Sequence, residues 1–148
     1  MTLHFQALPQ GAPYADAFGV QAPTLAQDRD MWPRKVGCFV RRVAVASSSD
    51  DIKADTETLS ALTRELVAGQ WGLVPPWVKS ASDAKLRSPK LVNARSETVS
   101  TSKNFFDAWH QDQRCIVPMM SFCVDDWRSG KAVPTRITRV DGKPMGVA

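Results

Sequence analysis

Pro75-Pro76 constrains the fold most strongly. The run before it, residues 65–74, reads as a strand, and two consecutive prolines cannot continue a hydrogen-bonded ladder. Gly69 and Gly72 inside that run predict a bulge or a close backbone approach. The other extended runs are no longer than this one. Residues 37–45 are rich in β-branched side chains, and Cys115-Ile116-Val117 reads as a buried strand ended by Pro118. Residues 135–140 alternate apolar and polar side chains, and Asp141-Gly142 predicts a hairpin turn into residues 145–148. An extended start at Leu3-His4-Phe5 leads to a short helix at residues 14–18, stopped by Gly19. Thr101 or Ser102 is expected to cap a second helix in which Phe105 and Trp109 share one face. Residues 47–51 read as a loop, residues 53–57 as an exposed segment, and residues 79–90 as a basic surface loop. These elements predict one α+β domain over residues 1–148, rich in β-structure, with a partly closed antiparallel sheet and short flanking helices.

A chain of 148 residues with 43% hydrophobic content can bury one core. No window approaches the ~18 uninterrupted apolar residues of a membrane span, and the N-terminus lacks the pattern of a secretory signal. A cytoplasmic protein is therefore expected. A net charge of +4 and a pI of ≈ 9.2 suit an anionic partner. The odd count of cysteines, Cys38, Cys115 and Cys123, fits small side chains in a reducing compartment. Neither CxxC nor CxxH occurs, so no zinc site is expected, and neither another metal nor a cofactor is assigned.

Asn93-Ala94-Arg95-Ser96-Glu97-Thr98 places an amide, a guanidinium and a carboxylate between apolar segments, where packing needs none of them. A neutral amide can orient a reacting carbonyl or amine, and a guanidinium forks onto phosphate. If extended, the segment would aim Asn93 and Arg95 to one side. The competing reading is a turn asparagine with an Arg95–Glu97 ion pair. Trp71 and Trp77 flank the two prolines as an aromatic ledge suited to unstacked bases. Core burial is the alternative, and it fits Trp71 better than Trp77. Arg41-Arg42 and Lys79, Lys85, Arg87 and Lys90 could meet phosphates or merely solvate a face. His4 and His110 each read as lone histidines, and no Ser-His-Asp or Cys-His set can be assembled.

Trp71-Gly72-Leu73-Val74-Pro75-Pro76-Trp77, Asn93-Ala94-Arg95-Ser96-Glu97-Thr98, the Phe-rich helix and Arg114-Cys115-Ile116-Val117-Pro118 occur in fixed order. Together they make the chain resemble the SRAP (SOS response-associated peptidase) family, whose members bind single-stranded DNA and cross-link to abasic sites. The resemblance implies the family's β-rich α+β barrel-like fold. It also implies a monomeric, cofactor-free partner of single-stranded or abasic DNA, with His4, Trp71, Trp77, Arg95, Glu97, Arg41 and Lys79 as candidate DNA contacts.

Family members carry a cysteine after the initiator Met, whose thiol and α-amine close a thiazolidine on the abasic aldehyde. Thr2 stands there in this chain. Its α-amine could still form an imine with an aldehyde, but no sulfur adduct can follow. Alignment through Phe122-Cys123-Val124, Trp127 and Gly130 puts Val124 where the family has a catalytic glutamate. Asp126 keeps the parity of Val124 two residues further on. The family's histidine is expected beyond Ala148, so the domain is expected to lack the family's C-terminal part. The resemblance therefore assigns catalytic positions to Thr2, Asn93 and the degenerate Val124, and implies DNA recognition with impaired cross-linking. Two alternatives stay open: lyase chemistry at the Thr2 α-amine, and a non-catalytic phage-related or accessory protein that contacts protein or RNA.

Overall fold

The protein is described by a computed structural model at residues 4–11, 13–24, 26–43 and 64–148. Thr2 and the readings at residues 47–51 and 53–57 lie outside the described residues.

The strands are β1 (His4–Ala7), β2 (Asp30–Met31), β3 (Val36–Arg42), β4 (Arg64–Gln70), β5 (Cys115–Asp126), β6 (Val133–Thr138) and β7 (Met145–Val147). Helices α1 (Pro13–Phe18), α2 (Ala81–Arg87) and α3 (Phe106–His110) are short. The strands make a 7-stranded antiparallel sheet in the order β2-β1-β5-β3-β4, with β6 and β7 also paired to β5. It curves into a half-barrel, as the strand and helix pattern predicts.

β5 organises the fold. It runs for 12 residues straight through Pro118, so the expected end at that proline is wrong. Pro118 stands between the residues paired with β3 (Cys115, Ile116) and those paired with β1 (from Met119); it lies opposite Gly146 of β7, and neither β3 nor β1 needs its missing N–H. Ile116 is exposed and Cys115 and Val117 are half-buried, so that stretch is not the buried strand expected.

The C-terminal hairpin is also corrected. β6 pairs with residues Ser121 to Asp126 and β7 with Val117 to Met119, both on the edge of β5 opposite β1. The two strands therefore continue one another along one edge, and the Arg139 to Gly142 turn is an excursion between them.

The register of β1 on β5 shifts between Gln6 and Ala7: Gln6 faces Ser121, whereas Ala7 faces Met119. This bulge at Met120 reverses the side-chain parity of β5. On one side Phe5, Ala7, Met31 and Met119 form a buried cluster, joined by Trp71 and Phe122. On the other, Met120 packs on Leu8, Tyr14, Val20 and Val40, and α1 presses Tyr14 and Phe18 into that cluster before Gly19, at φ 66°, ends the helix.

β4 stops at Gln70, earlier than the prolines, because Gly72 takes φ 120° and turns the chain. An added Cβ at Gly72 would lie 2.4 Å from the Ser88 carbonyl oxygen, which is the close approach expected of a glycine in this run. Residues 79–90 are not a loop. Ser80 caps α2 by accepting from the Asp83 N–H, Arg87 pairs with Asp83 one turn away, and Pro89 sets a 3-10 turn at Ser88–Lys90. α3 begins at Phe106 with no side-chain cap. Ser102 supplies its carbonyl oxygen to the Phe105 and Phe106 N–H groups instead of a capping hydroxyl.

Candidate functional site

Two groups of polar and aromatic side chains stand out, and only one includes the sequence motifs. The motif group surrounds residues 71–103. Leu73 N–H donates to the Leu91 carbonyl, and Gln70 Nε2 donates to the fully buried Ser88 hydroxyl. The Trp71 to Trp77 element is thereby tied to the segment that enters Asn93. Trp71 packs edge-on against Phe5 at 4.9 Å and belongs to the core. Trp77 is half-buried. Arg87 lies over its ring at 4.8 Å, Lys103 at 5.2 Å, and its indole N–H donates to the Lys103 carbonyl.

Asn93 is half-buried and engaged with its surroundings. Past Arg95 the segment is not extended. It turns at Arg95, whose carbonyl accepts from the Thr98 and Val99 N–H groups. Arg95 and Glu97 are exposed, and among the described residues no ion pair joins them. Lys79 is exposed just before α2. Arg41 is held by Glu65 at 2.6 Å across β3 and β4.

Val124 is half-buried on β5 opposite Thr135. Asp126, the nearby carboxylate of matching parity, is taken up by Arg128, whose guanidinium donates to both of its oxygens. Those bonds hold the Asp126 carboxyl below the ordinary carboxylate range.

The second group forms at the β1–β5 seam. His4 faces Cys123 across the ladder, with Cys123 Sγ 3.4 Å from His4 Nδ1. His4 Nε2 lies 3.0 Å from Asp30 Oδ1, and Gln6 Nε2 donates to the same oxygen. The Ser121 hydroxyl donates to Gln6 Oε1, closing a chain of polar contacts along one face of the seam. Trp32 stacks on the His4 ring at 4.4 Å and remains 48% exposed. The bonds from His4 first and Gln6 second hold the Asp30 carboxyl below its ordinary range.

A cleft of ≈ 670 Å³ opens on the Gln6 and Ser121 side, with Arg29, Arg139 and Lys143 on its walls. Its back is braced by Gln27, which donates to the Leu8 carbonyl and the Tyr14 hydroxyl and accepts from the Cys38 N–H.

His4 is a candidate from the sequence, whereas its neighbours Cys123, Asp30, Gln6 and Trp32 emerge only from the fold. A usable signal existed: His4 and Gln6 alternate on one face, and so do Asp30 and Trp32. β2, which brings the two pairs together, is only 2 residues long and too short to carry a strand pattern of its own. Among the described residues no cluster of His, Cys, Asp and Glu could hold a metal ion, and no helix is long and apolar enough to cross a membrane.

The family model for SOS response associated peptidase (SRAP) matches residues 5–148. The abasic site processing protein YoaM of Bacillus subtilis is 41% identical over 71 residues, which is 46% of this chain and 28% of that protein. A second abasic site processing protein of B. subtilis, YoqW, is 43% identical over 53 residues, covering 36% of this chain and 21% of that protein. A solved protein structure from Bordetella bronchiseptica superposes with a TM-score of 0.75 at 36% identity, covering 98% of this chain and 61% of that one. Another, from Bacteroides thetaiotaomicron, gives 0.63 at 20% identity over 97% of this chain and 57% of that one, and shares the fold. The chain thus spans less than two thirds of each relative's length, and under a third of the two Bacillus proteins.

Proposed function

The chain belongs to the SOS response associated peptidase (SRAP) family, and we propose that it is a cytoplasmic, monomeric domain of the DNA-damage response. In this reading it binds single-stranded DNA and recognises abasic sites without a cofactor. The observation that carries the reading is the joining of the two family motifs through the Leu73–Leu91 backbone bond, beside an indole flanked by two cations.

Arg87 and Lys103 are already held at the Trp77 ring, so a strand reaching this surface would meet phosphate-binding charge and an aromatic face together. Arg95 and Lys79 are exposed as well, and in this reading each meets a phosphate of the bound strand. Trp71, packed on Phe5 and the core cluster, is assigned to the fold rather than to a base contact.

Stable cross-linking is impaired in this reading, because Thr2 has no thiol, Val124 has no carboxylate and Asp126 is committed to Arg128. Asn93 remains to orient an aldehyde, and a transient imine at the Thr2 α-amine stays open to the chain.

Fluorescence anisotropy with a labelled single strand tests the binding. Affinity is expected to fall as salt rises, because phosphates neutralised by Lys and Arg release counterions. A salt-independent affinity would sink the reading.

A further inference from the structure

We propose that Cys123, His4 and Asp30 form a second nucleophilic site, a thiol activated by an imidazole that a carboxylate orients, and that its substrate is an aldehyde carbonyl. The assignment of the aldehyde rests on the abasic-site function proposed above. The reactivity of the thiol does not.

Proton placement follows from the acceptors. Asp30 Oδ1 receives both His4 Nε2 and Gln6 Nε2, and an ionised carboxylate can only accept, so His4 Nε2 carries a hydrogen. In the neutral ring Nδ1 is then the acceptor, and the Cys123 thiol is its donor at 3.4 Å. That is the tautomer a general base needs, held by a carboxylate on its far side.

The bulge at Met120 makes this possible. With the regular alternation of residues 117 and 119, Cys123 would face the Phe5 and Met31 core, whereas the parity change turns it to His4. Cys38 is buried, and among the described residues Cys115 has no hydrogen bond to a histidine, so Cys123 differs from both in having a base in reach. Trp32 fixes the imidazole plane from one side, and the cleft walls two ladder positions away carry Arg29 and Lys143, charges that suit the phosphates flanking a ring-opened sugar, while Arg139 there is taken up by Asp141.

The step balances without an oxidant or a leaving group. The sulfur lone pair forms the S–C bond as the Sγ proton passes to His4 Nδ1, and the carbonyl π pair moves to oxygen. That oxygen then recovers the proton from Nδ1, giving a hemithioacetal. No amine adjoins Cys123 in sequence to close a five-membered ring, so the adduct reverses on denaturation. A retained thiol here is compatible with the absence of a stable cross-link.

Iodoacetamide labelling followed by peptide mass spectrometry reads each cysteine separately in the intact chain. Cys123 is expected to react faster than Cys115 and Cys38, and His4→Gln to slow it about 100-fold, the scale of a lost general base. Asp30→Asn should slow it less, with Asp30→Glu recovering part of the rate, because Asp30 positions the ring and touches no substrate. Unchanged labelling of Cys38 certifies the fold. If His4→Gln exposes Cys38, then Asp30→Asn decides in its place. A Cys123 rate indifferent to both substitutions overturns the site.

An abasic single strand should protect Cys123 where an intact strand of the same length does not. If both strands bind by anisotropy and neither protects, the aldehyde assignment fails while the DNA-binding function stands. If neither binds, the DNA-binding function fails, and the His4-dependence of labelling still decides whether the nucleophile exists.

Discussion

The β1–β5 seam and the segment of residues 71–103 carry the chain's polar and aromatic groups in opposite ways. In the seam, strand register does the positioning: His4, Gln6, Ser121 and Cys123 face one another because their backbones pair, and Asp30 arrives on a strand of 2 residues. In the segment of residues 71–103, turns, a short helix and isolated backbone bonds place Trp77, Asn93 and Arg95. Register gives the seam contacts of hydrogen-bond length between side chains, which suits proton transfer. Turns give the other region spread, exposed cations around an indole, which suits a long flexible polyanion.

The comparison breaks most visibly where the two regions meet. Trp71→Ala should cost about 3 kcal/mol of folding stability, since its ring packs on Phe5 and the Met31 cluster. Gly72→Ala should cost about 2 kcal/mol or more, because its φ of 120° is strained for alanine and the new Cβ meets the Ser88 carbonyl. Chemical denaturation measures both. A loss under about 0.5 kcal/mol at either residue would show that the junction is not rigid.

Trp77→Ala sharpens the contrast from the other side. It should lower single-strand affinity by about 1 to 3 kcal/mol with little effect on the melting temperature. A large stability loss there would return Trp77 to the core. Arg95→Ala should weaken binding evenly across sequences and reduce the slope of affinity against log salt by about 1. An unchanged slope would remove Arg95 from the phosphate contacts. Arg41→Ala should matter least, under about 1 kcal/mol in stability, since its partner Glu65 is a surface residue on the neighbouring strand.

Legibility in the sequence follows the same division. Tyr14 to Gly19, β3 and the extended start at His4 were readable, because local pattern and one glycine decide them. Gly72 announced a close approach that the structure locates at Ser88. Pro118 misled, since its effect depends on which neighbour β5 has at that residue, and this is a property of the sheet. α2 was hidden by its basic composition, although Ser80 and the Asp83–Arg87 spacing are helix signals. Asn93 to Thr98 was readable as a polar cluster but not as a turn.

The seam was the least legible part. His4 looked solitary because Asp30 lies 26 residues away and Cys123 lies 119 residues away, and no local pattern spans such separations. The Met120 bulge, which turns Cys123 towards His4, arises from the pairing of distant strands.

The central claim is that this chain keeps a scaffold for abasic DNA while lacking the group that makes the bond permanent. The direct measurement incubates the chain and its Thr2→Cys variant, with Met1 removed from each, with abasic single-stranded DNA and runs both on denaturing electrophoresis without reductant. The expected result is a shifted band for the variant and none for the unaltered chain. A band from the unaltered chain, or no band from a folded variant that binds the strand, would contradict it.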